Sequence, residues 1–522
     1  MSKTYTICFA IFMTLSGVVF KTNAQSINYP DDIAAVLDSA GENRVALEEV
    51  LFHYRDDSLK FQAACFLIRN MPGHSYVTYK LVDTAGNEVL FNALEYPTYD
   101  SLNRAFDAIQ AKTGDLDFRK KDLFDDTKTI RADFLINHID YAFRARTEKP
   151  WAKWLTFDQF CQYVLPYRGS NEPLEDWRPY FWEKYINLPK EMKDSTDPVE
   201  AASLINNDIR KWFTFSEIYY YHPTDQGLEE MRQSGKGRCE DMTNLAIFAM
   251  RANGLAVTSD YTPFWGNAGN NHAWNAILLP DGRVVPFMGD EANPGEYKLA
   301  NKIAKAYRKT YEDHPENLVF QERKQKKIPG WLAGKSYIDV TPAYARVSNL
   351  NINLDAPLPD SIDIAYLCVF NSGEWQAIQW GRAADSTALF KEMGRDILYL
   401  PALYINEKIV PGGTPFILDT VGTMHALAPD TSTRVALTLI SITNPKLEWS
   451  TEGIEKTKVK PGQEYELFYW NGEWLSLGKV TSDDRGVSFA NVPSGALYWL
   501  RKTDSSKEER VFTMENGEQK WW

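Results

Sequence analysis

A cysteine that acts as a nucleophile needs a lowered pKa, a base within hydrogen-bond reach, and a group that orients that base. The candidate is Cys239, in "GKGRCEDM", residues 235 to 242. It opens the run "CEDMTNLAIFAMRANG", which places Leu245, Ile247, Phe248 and Met250 in a largely buried helix that stops at Gly254. A thiol at such a helix start faces unpaired N–H groups and the positive end of the dipole, and both favour thiolate. Gly235 and Gly237 let the backbone turn sharply into the helix and let a substrate carbonyl approach closely. Glu240 and Asp241 follow at once; they suit a helix start, yet they push the thiol pKa upward.

The base candidate is His272, in "GNNHAWNAILLPDGRVVPFMGDEANP". "Leu-Pro-Asp-Gly-Arg" reads as a type I turn, with Pro280 first and Gly282 in the left-handed bulge position. A three-residue loop of that kind pairs Leu279 with Arg283, so paired positions sum to 562. His272 then falls opposite Asp290, and facing residues of an antiparallel pair project from one side. Asp290 would hold the imidazole in the useful tautomer. A two-residue Asp-Gly turn would instead bring Glu291 opposite His272. The three-residue reading is preferred, with Glu291 as the alternative orienter. Taken alone, Cys239 reads as structural; a histidine and a carboxylate placed by an independent hairpin turn that reading toward catalysis. Zinc ligands are normally paired more closely in sequence than Cys239, His272 and Asp290, so neither a metal nor another cofactor is expected.

A "GxC" at a helix start, "HAW" about thirty residues on, then strand, turn and strand ending in Asp, resembles the transglutaminase-like superfamily. The likeness covers roughly residues 195 to 300. It implies a papain-like core, in which the cysteine helix packs on an antiparallel sheet carrying the His and Asp. It further implies Cys239 as nucleophile, His272 as general base and acid, and Asp290 as orienter. The chemistry implied is attack on an amide carbonyl, giving a thioester resolved by water or by an amine. Gln233, six residues before the cysteine, matches the oxyanion spacing of papain-like enzymes; Trp274 and Gly237 are the other supporting residues. The backbone N–H of Cys239 is the safer oxyanion donor. The pattern departs where the family's Asp is commonly followed by Pro and Thr, since this chain reads "GDEANP".

The elements that must position these residues follow from the rest of the chain. The first 24 residues read as a signal peptide: Lys3, the short apolar run "YTICFAIFMTLSGVVF", and cleavage after Ala24. Export to a periplasm or the outside is expected, with no later membrane span. A net charge of -13 argues against nucleic acid as a partner. The expected partner is a protein or peptide substrate, with cell-wall peptide or glycan as the cases considered. Cys65, Cys161 and Cys368 lie in apolar runs and read as inert core residues, and their wide spacing excludes a disulfide scaffold.

The expected architecture is multidomain α+β. A helical domain over 25–149 rests on apolar residues three or four apart, with His53, His74 and His138 as structural histidines. The α+β core occupies 150–335. Its helix in "TDPVEAASLINNDIRKWF" starts at Thr196 or Asp197 with Pro198 in the first turn. Two β-sandwich-like domains follow, over 336–445 and 446–522. They look duplicated: Gly373, Glu374, Trp375, Phe390, Leu398 and Tyr399 recur 99 residues later as Gly472, Glu473, Trp474, Phe489, Leu497 and Tyr498. The aromatic content is high, at 13% with 16 Trp. That opens a second functional reading, non-catalytic binding of glycan or peptide by the helical and β-domains, although packing is the better assignment for the repeated tryptophans.

Overall fold

The computed structural model describes residues 29–322, 324, 327–355, 358, 362–443, 457–505 and 508–522. The expected signal peptide and Cys8 lie outside the described residues. The molecule is a multidomain α+β protein with many β-strands in its C-terminal part. Among the described residues no helix is long and apolar enough to cross a membrane.

Helices Asp31–Ala40, Arg44–His53, Ser58–Arg69, Tyr99–Thr113 and Ala132–Glu148 form the N-terminal part. The helical reading of this region missed one antiparallel pair, Ser75–Val82 with Asp117–Asp125. "SYVTYKLV" carries the aromatic and β-branched residues that favour a strand. Its partner "DFRKKDLFD" is mostly charged and exposed and gives little signal of its own. His74 is stacked on Tyr311 and bonds its carbonyl oxygen at 3.0 Å. His138 sits 2.8 Å from the carbonyl oxygen of Leu165. Both are structural partners of backbone.

One hydrophobic cluster runs from Ile33 to Tyr311, so the N-terminal helices and the α+β core share an interior. At its centre is the helix Cys239–Ala252, buried along nearly its whole length. Trp177 stacks on its Phe248 with ring centroids 5.2 Å apart. The helix ends at Asn253, and Gly254 takes φ +75°, which suits a glycine just past a helix end. The helix Pro198–Ile209 starts where expected, with the Asp197 side chain accepting from the Val199 N–H at 2.8 Å.

Against the Cys239 helix lies an antiparallel five-stranded sheet, in spatial order Val284–Phe287, His272–Leu278, Val257–Thr262, Tyr307–Lys309, Tyr337–Asp339. The hairpin register is the expected one: Ile277 pairs with Val285 and Leu278 with Val284. The Leu279 N–H reaches the Arg283 carbonyl at 2.9 Å, and Gly282 takes φ +82°.

Beyond Val347 the strands fall into an eight-stranded sheet, a two-stranded pair and a final five-stranded sheet. The repeat is visible in detail. Gly373 and Gly472 take φ +81° and +79° in matching hairpin turns. Tyr399 donates its hydroxyl to the Gly394 carbonyl, and Tyr498 donates to that of Pro493, at the same 99-residue offset. Both rings are fully buried, so each hydroxyl needs that partner.

Candidate active site

Cys239 is the first residue of its helix and only 5% exposed. Its thiol lines a cavity of about 450 Å³, together with His272, Glu291, Tyr297, Tyr220 and Trp265. The sulfur donates to the Glu240 carboxylate at 3.0 Å. Burial pushes the thiol pKa well up, and the Glu240 charge adds to this; the Ala273 N–H and the Arg238 guanidinium pull only weakly the other way. The expected preference for thiolate is therefore corrected. At this helix start, loss of water and one adjacent carboxylate both favour the protonated thiol.

Asp241 has a different task. Its carboxylate accepts from the Arg238 N–H at 2.9 Å, which closes the helix start, and from the Gln226 N–H and side-chain amide at 2.9 and 3.0 Å. Of the two acidic neighbours, one shapes the helix and the other holds the thiol proton. Arg238 bonds Asp225 at 2.6 Å and lies 3.6 Å from Glu240, which keeps a positive group behind the acidic pair.

His272 begins its strand, pairing with Thr262 on the neighbouring one. Its ring stacks near Trp265, centroids 5.6 Å apart, and its Nε2 meets the Tyr297 hydroxyl at 2.6 Å. Burial lowers its pKa to about 4, against a smaller upward pull from Glu240. Burial thus favours the neutral form of both the thiol and the imidazole near pH 7.

The structure does not bring Asp290 onto His272. Although the register sums as expected, the strand ends at Phe287, and a bridge from Met288 to Ala292 folds the next residues into a turn. Asp290 takes φ +58° there, a left-handed conformation uncommon for a residue with a side chain. Asn206 clamps the turn. Its side chain accepts from the Asp290 N–H at 2.7 Å and donates to the Met288 and Ala292 carbonyls at 3.2 Å. Neither oxygen of the Asp290 carboxylate has a hydrogen-bond partner among the described residues. Burial, with help from the Glu291 charge, raises its pKa to about 8. The alternative orienter, Glu291, does line the cavity.

The supporting residues separate as well. Gln233 is exposed on the preceding helix and bonds Glu229 at 2.9 Å. The glutamine that reaches the start of the Cys239 helix is Gln226, fully buried. Trp274 is fully buried, edge-on to Tyr344 at 5.0 Å. At Gly237 a Cβ would lie 2.6 Å from that of Asp241 and 2.7 Å from Phe213 Cζ, so protein side chains fill the approach expected for substrate.

Four contributors were not foreseen. Tyr297 supplies the partner of His272, from "GEYKL", where nothing in the local pattern marks it. Asn371, in the turn of the first repeat, donates its buried amide to the carbonyls of Ala268 and Asn270 at 2.8 and 3.0 Å, with that of Trp265 at 3.3 Å. It thereby ties down the loop that leads into His272. Glu508 and Arg510, from the C-terminal end of the chain, also line the cavity.

Among the described residues no group of three metal-ligating side chains converges. No curated protein matches the chain. Among solved structures, red sea bream transglutaminase is similar at 10% identity with a TM-score of 0.20; the alignment covers 86% of this chain and 78% of that one. Residues 186–288 match the family model described as the transglutaminase-like superfamily, a span that holds Cys239 and His272 and stops two residues short of Asp290. The chain therefore carries a transglutaminase-like segment, built around the helix of Cys239 and the strand of His272.

Proposed function

We propose that this chain is an exported, cysteine-dependent enzyme that acts on amide bonds of protein or peptide. The observation that carries the reading is that the Cys239 thiol and the His272 ring line one cavity, at a helix start and a strand start of the family-matched segment. In the reaction, the sulfur attacks the amide carbonyl carbon while the thiol proton passes to His272. The Cys239 backbone N–H, at the first position of its helix, is the proposed donor to the developing oxyanion. The C–N bond then breaks, the leaving amine takes the proton from His272, and a thioester remains. Water, deprotonated by His272, adds to the thioester, and the carboxylate product leaves as sulfur regains a proton. Hydrolysis is preferred over transfer to an amine, because water is abundant and no residue pattern marks an amine acceptor. Tyr297 holds the ring in the resting geometry, and Glu291, which lines the cavity, is the carboxylate proposed for the orienting role.

The test is alkylation of the full chain by iodoacetamide, with Cys65 as internal control, together with turnover of a peptide amide library by wild type and Cys239→Ala. Faster labelling of Cys239 than of Cys65, and turnover lost in the variant, are expected. A protein that shows neither is not this enzyme.

A second reading, binding of glycan or peptide by the β-domains, is favoured by one observation. The two repeated "GEW" turns line a single cavity of about 620 Å³, with Trp375, Trp474, Glu374 and Glu473 around it. Polysaccharide binding that survives Cys239→Ala but is lost with Trp474→Ala would support that reading over catalysis.

A further inference from the structure

The two repeated turns meet at one cavity and give it negative charge beside aromatic rings. Gly373 and Gly472 take φ +81° and +79°, so the chain reverses alike at both, and the next residue, Glu374 or Glu473, is exposed. Both carboxylates line the cavity of about 620 Å³. Among the described residues neither carboxylate has an ion-pair or hydrogen-bond partner. A third carboxylate of the lining, Glu407, is already engaged by Lys327 at 2.6 Å. Lys408 is the one cation among the described residues of the lining.

Trp470 packs T-shaped against both Trp375 and Trp474, with ring centroids 5.5 and 5.0 Å apart. Trp375 and Trp470 are buried, while Trp474 and Tyr404 are half-buried and line the cavity. An aromatic face carries the negative side of its quadrupole, and together with a carboxylate it attracts a cation. Two carboxylates on one cavity also repel each other, and a cation between them relieves that cost. The net charge of -13 draws positive partners toward the molecule as a whole. A lysine side chain suits both halves of the lining, its apolar stem along the rings and its ammonium toward the carboxylates. A neutral sugar gains stacking from the same rings, yet it leaves both charges uncompensated.

We propose that this cavity binds a cationic side chain, the ammonium of lysine or the guanidinium of arginine, presented by a peptide or protein. Glu374 and Glu473 are its counter-charges. The proposal rests on the reading in which the two repeats bind a ligand, and it makes no demand on Cys239.

The experiment measures binding to the full chain by fluorescence anisotropy. The probe is a glycine–serine heptapeptide with one central lysine and a neutral fluorophore; its counterparts carry arginine or Nε-acetyl-lysine at the centre. The lysine and arginine peptides are expected to bind about tenfold more tightly than the acetylated one, and to weaken as salt rises. Glu374→Gln and Glu473→Gln sit at exposed positions, where folding tolerates them. Together they are expected to weaken the cationic peptides about tenfold, the scale of one charged hydrogen bond. Asp484→Asn, an exposed charge outside the lining, is expected to leave binding unchanged. Equal binding of the lysine and acetyl-lysine peptides, or cationic binding unmoved by the double variant, overturns the cation site. Soluble cello-oligosaccharides separate that failure from the wider one. If they bind and Trp474→Ala abolishes it, a ligand site in the repeats stands without the cation; if no probe binds, both readings fall.

Discussion

The Cys239 thiol donates to the carboxylate of its chain neighbour Glu240 at 3.0 Å, while His272 Nε2 meets the Tyr297 hydroxyl at 2.6 Å. The two groups that must exchange a proton in the proposed reaction each hold another partner at rest. A substrate carbonyl entering between them has to break at least the first of these contacts. The resting site is guarded, and its reactivity depends on how firmly each guard holds.

Replacing Glu240 by Gln removes the negative charge beside the thiol, which raises its pKa, and leaves only a neutral amide oxygen as acceptor. The thiolate fraction at pH 7 should rise about tenfold for each unit the pKa falls. Iodoacetamide labelling of Cys239 as a function of pH measures this. The wild-type rate should still be climbing above pH 9, and the variant's profile should lie at lower pH. An unmoved profile means that burial alone sets the thiol.

His272 is held neutral by burial, with its pKa lowered to about 4. A general base of this kind is available throughout the neutral range, and it fails only as pH falls through about 4. The pH profile of inactivation by a neutral electrophile should therefore lack a limb near 6.5. Tyr297→Phe removes the ring's hydroxyl partner and should slow turnover by about tenfold, with little change in folding stability.

Asp290 has a folded pKa of about 8 against an ordinary 3.8. The folded state holds that proton more tightly than the unfolded chain does. Stability from this group is thus full below about pH 4, declines as pH rises, and levels off above about pH 8. Asp290→Asn should stabilise the protein at pH 8, by an amount on the order of 2 kcal/mol, and the gain should shrink toward pH 4. Paired thermal melts at the two pH values check the sign. An Asp290 that instead pairs with a charged His272 in solution would make the variant less stable at neutral pH.

Asn371→Ala leaves the carbonyls of Ala268 and Asn270 without their buried donor. A cost of about 1–3 kcal/mol is expected, concentrated in the loop before His272. Hydrogen exchange should show faster amide exchange around residues 266–271, while the amides of the Cys239 helix stay protected.

What could be read from the sequence was local. The turn "Leu-Pro-Asp-Gly-Arg" contains its own geometry, so the register of the hairpin followed from five residues. The start of one helix at Asp197 and the end of the Cys239 helix at Gly254 were legible for the same reason. Asp290 was out of reach because the strand stops early, and a turn clamped by Asn206 from a distant helix takes over. Tyr297 reaches His272 through a loop with no periodic pattern. The strand Ser75–Val82 pairs with a segment whose own residues are mostly charged, so neither signalled the other. The effect of Glu240 on the thiol was visible as a charge, but not the loss of water that makes that charge decisive.

The amide of Asn371 has a practical consequence for anyone dissecting this chain. A fragment ending near residue 335 would retain Cys239, His272 and the whole matched segment. It would also strip the carbonyls of the 265–270 loop of their donor and remove Arg510 from the lining of the cavity. An inactive fragment of that kind would say nothing about the proposed activity of the whole chain. The smallest unit fit for assay includes the strands beyond residue 347.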